Sequence, residues 1–144
     1  MKREIGNVRK AVCTMANELH KKGITLSQAF KRAWNMIKNG LTLKAAGVTY
    51  NNNQGKLQYL AQFKPSDLKV VLRRDRENEF DTNAVKIIVQ IPSKGIQAQI
   101  GFLPAAAAAQ VSKVMDKGLR FRASVKQIMG GYDGRNYGLL LSVG

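Results

Sequence analysis

Leu72-Arg-Arg-Asp75-Arg-Glu-Asn-Glu-Phe80-Asp-Thr-Asn-Ala-Val-Lys86 is a polar stretch set between two β-rich runs, Leu68-Lys-Val-Val-Leu72 and Ala84-Val-Lys-Ile-Ile-Val89. Aliphatic and β-branched residues fill the runs, and Phe80 is the one large apolar residue between them, so the pattern predicts strand, loop, strand. An aromatic in a solvated loop has no local core to join. Phe80 is therefore a candidate contact residue.

Ahead of these runs, Ala46-Gly-Val-Thr-Tyr50 predicts a short first strand, and Asn51-Asn-Asn53 a turn. Leu57, Leu60, Ala61 and Phe63 then suggest a helix that ends before Pro65. Strands follow at 68–74, 84–91 and 96–103, the last two separated by Pro92-Ser-Lys-Gly95. Pro104 and Gly118 bracket an Ala-rich helix. Leu119, Phe121, Ala123 and Val125 alternate with Arg120, Arg122, Ser124 and Lys126, giving one core face and one basic face. Gly130-Gly-Tyr-Asp-Gly134 is a turn before a last strand, Tyr137 to Val143. Six short strands with two helices predict an α+β domain over residues 45–144, a strongly bent sheet or partly closed barrel of the oligonucleotide-binding kind.

Residues 1–44 read as a basic helical hairpin. Ile5, Val8, Val12, Met15 and Leu19 recur at helical spacing, with Arg9, Lys10, Asn17 and Lys21 away from that seam. Gly23 breaks the pattern, Thr25-Leu-Ser-Gln28 fits a capping box, and Leu26, Phe30, Ala33, Trp34 and Ile37 make the apolar face of a second helix. Gly40 suits the position just past its end, and Trp34 is expected as a core anchor. This part holds ten Lys and Arg against two acids, so it is either a second nucleic-acid surface or a solvated basic face. Ala29 to Trp34 with Ile37-Lys38 also resembles a helical segment common at the start of small phage and mobile-element proteins.

The whole chain of 144 residues carries 24 Lys and Arg against 9 acids, a net charge of +15 that favours polyanionic partners. No apolar run has the length of a membrane span and the N-terminus has no signal-peptide core, so no membrane association and a cytoplasmic location are expected. One cysteine, Cys13, and one histidine, His20, leave no internal disulfide and no Cys/His zinc set. No cofactor is expected.

Asp75, Glu77, Glu79 and Asp81 fall within seven residues. A calcium-binding loop would need glycine where Phe80 stands and glutamate where Lys86 stands, so that reading fails. A metal-dependent nuclease needs carboxylates converging from separate segments, and outside the loop and the N-terminal part only Asp67, Asp116 and Asp133 remain. The chain is expected to be noncatalytic, with Asp75, Glu77 and Glu79 pairing locally with Arg73, Arg74 and Arg76 at little energetic gain.

Glu79-Phe80-Asp81-Thr-Asn83-Ala84-Val85, followed by Ile100-Gly101-Phe102-Leu103-Pro104 and an Ala-rich helix, resembles the HIRAN family, small domains found at the front of helicase-like transcription factor and its relatives. The resemblance covers about residues 46–144. It implies an aromatic-Asp pair that holds the 3′ end of single-stranded DNA, with Phe80 stacking on the terminal base and Asp81 accepting from the terminal hydroxyl. The chemistry suits an end reader: every base offers a face to stack on, while a carboxylate accepts from a hydroxyl and repels a phosphate. The same carry-over gives Asn78 to the DNA backbone, Tyr50 (with Tyr59 competing) and Tyr137 to further aromatic walls, and Phe102 to wall or core. Asn83 is expected to cap the loop through its own backbone. Two departures stand out. Arg76 and Glu79 replace prolines that relatives often carry, and alanines follow Pro104 where a basic residue is common. Arg73, Arg74, Arg120, Arg122, Lys126 or the helical pair would then supply the cations.

Three functional readings remain open at this point. One is a single-stranded DNA module that prefers a free 3′ end. Another is a general electrostatic binder of DNA or RNA. The third is an adaptor that uses the helical pair to bind an acidic protein, for example a replication, repair or host-defence factor.

Overall fold

A computed structural model describes residues 5–21, 23–118 and 121–144. Expectations for Leu119 and Arg120, and for the side chains of Ile5, Val8, Arg9, Ile37 and Lys38, lie outside the described residues.

The strand after the polar loop is the most buried. Val85, Ile87, Val89 and Ile91 alternate into the core and Ile88 is buried on the other side, as a strand covered on both faces requires. In chain order the strands are β1 (Leu41–Lys44), β2 (Lys69–Arg74), β3 (Val85–Ile91), β4 (Ile96–Phe102), β5 (Ala123–Met129) and β6 (Gly138–Val143). They form one antiparallel sheet in the order β1-β6-β5-β2-β3-β4. The helices are α1 (Ile5–Lys21), α2 (Leu26–Asn39), α3 (Asn53–Leu60) and α4 (Ala105–Asp116).

The fold is α+β, and its sheet does not close into a barrel. The two ends of the sheet meet at one point beyond β1. Ala46 N donates to Phe102 O at 2.8 Å and Phe102 N to Ala46 O at 2.9 Å, an isolated antiparallel bridge. That bridge depends on Gly101, whose φ is +69° and whose missing Cβ would lie 2.1 Å from Ala46 O.

Two strands differ from expectation. The first strand is Leu41–Lys44, not 46–50: Leu41 and Leu43 are half-buried while Thr42 and Lys44 are exposed, a period of two that the helical reading of this part overlooked. Residues 47–50 instead make a turn, with Gly47 at φ +73° and Tyr50 N donating to Gly47 O. The fifth strand starts at Ala123; over the described residues 121–126 the expected alternation holds, with Phe121, Ala123 and Val125 turned inward and Arg122, Ser124 and Lys126 exposed, and the pairing with β6 shifts register only after it, between Val125 and Gln127.

The main core joins Leu57 and Leu60 of α3, Ala108 and Val111 of α4 and the inward residues of the sheet. A second core holds Val12, Met15, Ala16, Leu19, Ala29, Ala33 and Val114, with Phe121 packed against both. Through Val114 the helical pair docks on α4, and Lys10 Nζ donates to the Lys117 carbonyl at the end of α4 at 3.2 Å. Trp34 is not the anchor expected of it. The face of α2 that meets α1 is Ala29 and Ala33, both fully buried, and Trp34 is 49% exposed. Alanines let the two helices approach closely and leave Leu26, Phe30 and Trp34 outside the seam.

Candidate nucleic-acid interface

The loop between β2 and β3 is built by its own polar groups. Asp75 N donates to Ala84 O at 2.9 Å, closing the base. The Asn78 side-chain oxygen accepts from both Phe80 N and Asp81 N at 2.9 Å, and its amide donates to Asp75 Oδ2 at 3.2 Å. Asn78 therefore holds this chain's own backbone. The effect is to lift Phe80 off the surface, where it is 96% exposed. Asp81 Oδ1 accepts from Asn83 N at 2.9 Å, so the capping expected of Asn83 comes from Asp81. No other protein donor reaches the Asp81 carboxylate among the described residues.

Arg74 anchors the loop from below. Its guanidinium donates to the Ala84 and Thr82 carbonyls at 2.8 and 3.1 Å and to both oxygens of Asp116 at 2.9 and 3.3 Å. Arg76 adds a bond to Asp116 Oδ1 at 3.0 Å. The arginines thus pair with the end of α4. Among the described residues no ion pair joins Asp75, Glu77 or Glu79 to Arg73, Arg74 or Arg76, contrary to the local pairing expected. The hydrogen bond from Arg74, helped by Arg76 and opposed by partial desolvation, holds the Asp116 carboxyl below the ordinary carboxylate range.

A group whose folded pKa is depressed stabilises above its unfolded value and loses that contribution as pH falls through the folded one. Asp116→Asn is therefore expected to lower stability at neutral pH by about 1 kcal/mol or less, since the pair is partly exposed. The difference from wild type should begin to shrink as pH falls below about 4, near the unfolded carboxyl's pKa, and disappear only below the lower folded value. Thermal melts of both proteins between neutral pH and pH 3 check this.

Facing the loop is the segment that the Ala46–Phe102 bridge holds in place. Asn51 and Asn52 both take left-handed φ, at 54° and 60°. Asn53 Nδ2 donates to Gly47 O at 3.0 Å, and Gln54 clasps the Val48 and Tyr137 carbonyls at 2.9 and 3.0 Å. Tyr50 at its tip is 70% exposed. Between the two walls lies an open cavity of about 620 Å³, lined by Tyr50, Asn78, Phe80, Asp81 and Phe102 among others. That volume suits a small-molecule-sized group such as a nucleotide.

Five residues singled out in the sequence thus come together. Tyr137 does not line the cavity: its backbone is held by Gln54 and its ring lies over Gly131, where a Cβ would meet the ring at 2.2 Å. Tyr59 belongs to α3 and rests edge-on against Phe63. Arg74 is committed to the loop, Lys126 reaches Thr42 across the sheet at 2.9 Å, and Arg122 pairs through its backbone with Gly144.

The cavity's cation went unseen in the sequence. Lys56, on α3, lines it, and its amine donates to Gln99 O at 3.2 Å and Asn53 Oδ1 at 3.4 Å. It lies 25 residues or so from the loop in the chain, and nothing in its neighbourhood marks it; only the folding of α3 against β4 brings it in. Lys86 is a second such cation. It pairs directly with Phe102 on one side and Arg73 on the other, so two like charges sit opposite each other on neighbouring strands beside the cavity wall. Such a pair is unfavourable until an anion arrives.

The pattern of the HIRAN domain matches residues 38–130. The matched region begins ahead of β1, earlier than residue 46. Among solved structures, a protein from Lactobacillus plantarum is similar, at 20% identity and a TM-score of 0.50, over 72% of this chain and 93% of that one. The HIRAN domain of human HLTF is 22% identical with a TM-score of 0.42, over 74% of this chain and 80% of that one. The chain matches no curated protein sequence. No described helix is long and apolar enough to cross a membrane. With more than half of its length matched, the chain belongs to the HIRAN domain family, a family of DNA-binding modules.

Proposed function

We propose that this chain is a noncatalytic module for single-stranded DNA that reads a free 3′-hydroxyl end in the cavity between Phe80 and Tyr50. The observation that carries this reading is the meeting of two exposed rings, Phe80 and Tyr50, with a carboxylate that has acceptor capacity left, Asp81, around one cavity. The terminal base stacks on Phe80 with Tyr50 as the opposite wall, which tolerates any sequence. The terminal hydroxyl donates to Asp81, and a 3′-phosphate in its place is repelled. Lys56 meets the last phosphate, supplying the cation that the alanines after Pro104 do not. Lys86 and Arg73, in register with Phe102, take the next phosphates, and the net charge of +15 adds affinity without selectivity.

Fluorescence anisotropy with a short labelled single strand tests this, comparing a 3′-hydroxyl with a 3′-phosphate end at low and moderate salt. The expected result is a preference for the hydroxyl of about tenfold that survives added salt, because it rests on a hydrogen bond and not on counterion release. Equal binding to both ends that collapses with salt would replace this reading with a general electrostatic binder.

A further inference from the structure

Among its described residues, the second helix carries Leu26, Phe30 and Trp34 on the outside. Leu26, Phe30 and Trp34, one turn apart, are 47%, 38% and 49% exposed, while Ala29 and Ala33 of the same helix are fully buried. Residues four apart stack along one side of a helix, so the three form a continuous stripe more than two turns long. An isolated exposed leucine needs no explanation, but a contiguous row marks a contact surface. Neither the cavity nor the loop uses it.

We propose that this stripe of α2 docks an acidic, amphipathic protein helix, separately from the DNA cavity. The choice of occupant follows from charge and exposure. The helix bears Lys31, Arg32 and Lys38 and no acid; Lys31, about 100° round the helix from Phe30, is exposed beside the stripe, while Arg32 is exposed on the far side. A second copy of the chain would bring the same cations against them under a net charge of +15 on each molecule, which opposes self-association. Single-stranded DNA fits the stripe poorly. Phe30 and Trp34 are about half covered, unlike Phe80, and Leu26 has no face on which a base can stack. An apolar row on the partner, rimmed by Asp and Glu, satisfies both the stripe and its cations.

Trp34 is the only tryptophan in the chain, so its fluorescence reports on this surface directly. The full chain is titrated with a synthetic amphipathic helix that has leucines on one face and glutamates on the other. A second helix with the same leucines and lysines in place of the glutamates, and an oligothymidylate, are the comparisons. The expected result is a saturable blue shift of Trp34 emission with the glutamate helix only. Phe30→Ser should weaken it about tenfold or more, as loss of a central aromatic does at interfaces. Lys31→Glu should also weaken it and improve binding of the lysine helix, with the circular dichroism of both variants unchanged. Phe80→Ala should leave the titration as it is. An emission change with the oligothymidylate alone, a shift that follows protein concentration without peptide, or no response to the glutamate helix would each overturn the proposal.

Discussion

Phe80→Ala is expected to weaken binding of a 3′-hydroxyl single strand by about tenfold or more and to abolish its advantage over a 3′-phosphate strand. The ring is almost wholly exposed and supports no part of the core, so the melting temperature should stay that of wild type. The loss would then belong to the ligand alone. Lys56→Ala provides the contrast. In the proposed binding mode its amine meets phosphate, so its removal should lower affinity, flatten the salt dependence by about one counterion, and leave the end preference in place. Anisotropy titrations of both variants at several salt concentrations separate the two effects. If Phe80→Ala keeps the preference, the cavity does not read the strand end, whatever the overall affinity.

Gly101→Ala should have a large effect on stability, a loss of about 2–4 kcal/mol, or roughly 10 °C in melting temperature. The new Cβ would sit 2.1 Å from the Ala46 carbonyl oxygen, a backbone atom that cannot step aside without breaking the two hydrogen bonds between Ala46 and Phe102. The segment from Ala46 to Lys56 is held against β4 by that bridge, so the variant should also lose end preference at temperatures where it remains folded. Gly95→Ala is the control. Gly95 has nearly the same φ, +62°, with nothing within 4 Å of the added Cβ. It should cost only the conformational part, about 1 kcal/mol. Differential scanning calorimetry of the pair separates the clash from the backbone preference. A Gly101→Ala protein as stable as Gly95→Ala would mean that the bridge contributes little.

Much of this architecture follows from local pattern. The alternation in Val85–Ile91, the turn residues at Pro92–Gly95, Pro104 before α4 and the apolar spacing in α1 each depend on a few neighbouring side chains, and the elements formed where those patterns lie. Phe80 is legible for the same reason, since a lone aromatic in a polar loop is visible without knowing what surrounds the loop, whereas Asp81 is marked by the family resemblance. Other features depend on partners distant in sequence. Lys56 enters the cavity because α3 packs on β4, and Arg74 is withdrawn from the surface because Asp116 lies at the end of α4 beside it. Asn78 serves the loop and not a ligand because the tight turn points Phe80 N and Asp81 N at its oxygen. Trp34 lies outside because close packing of α1 and α2 selects the alanine face. Periodicity says which residues share a side of an element; which side is covered, and which charge a neighbour neutralises, is decided only when the elements pack.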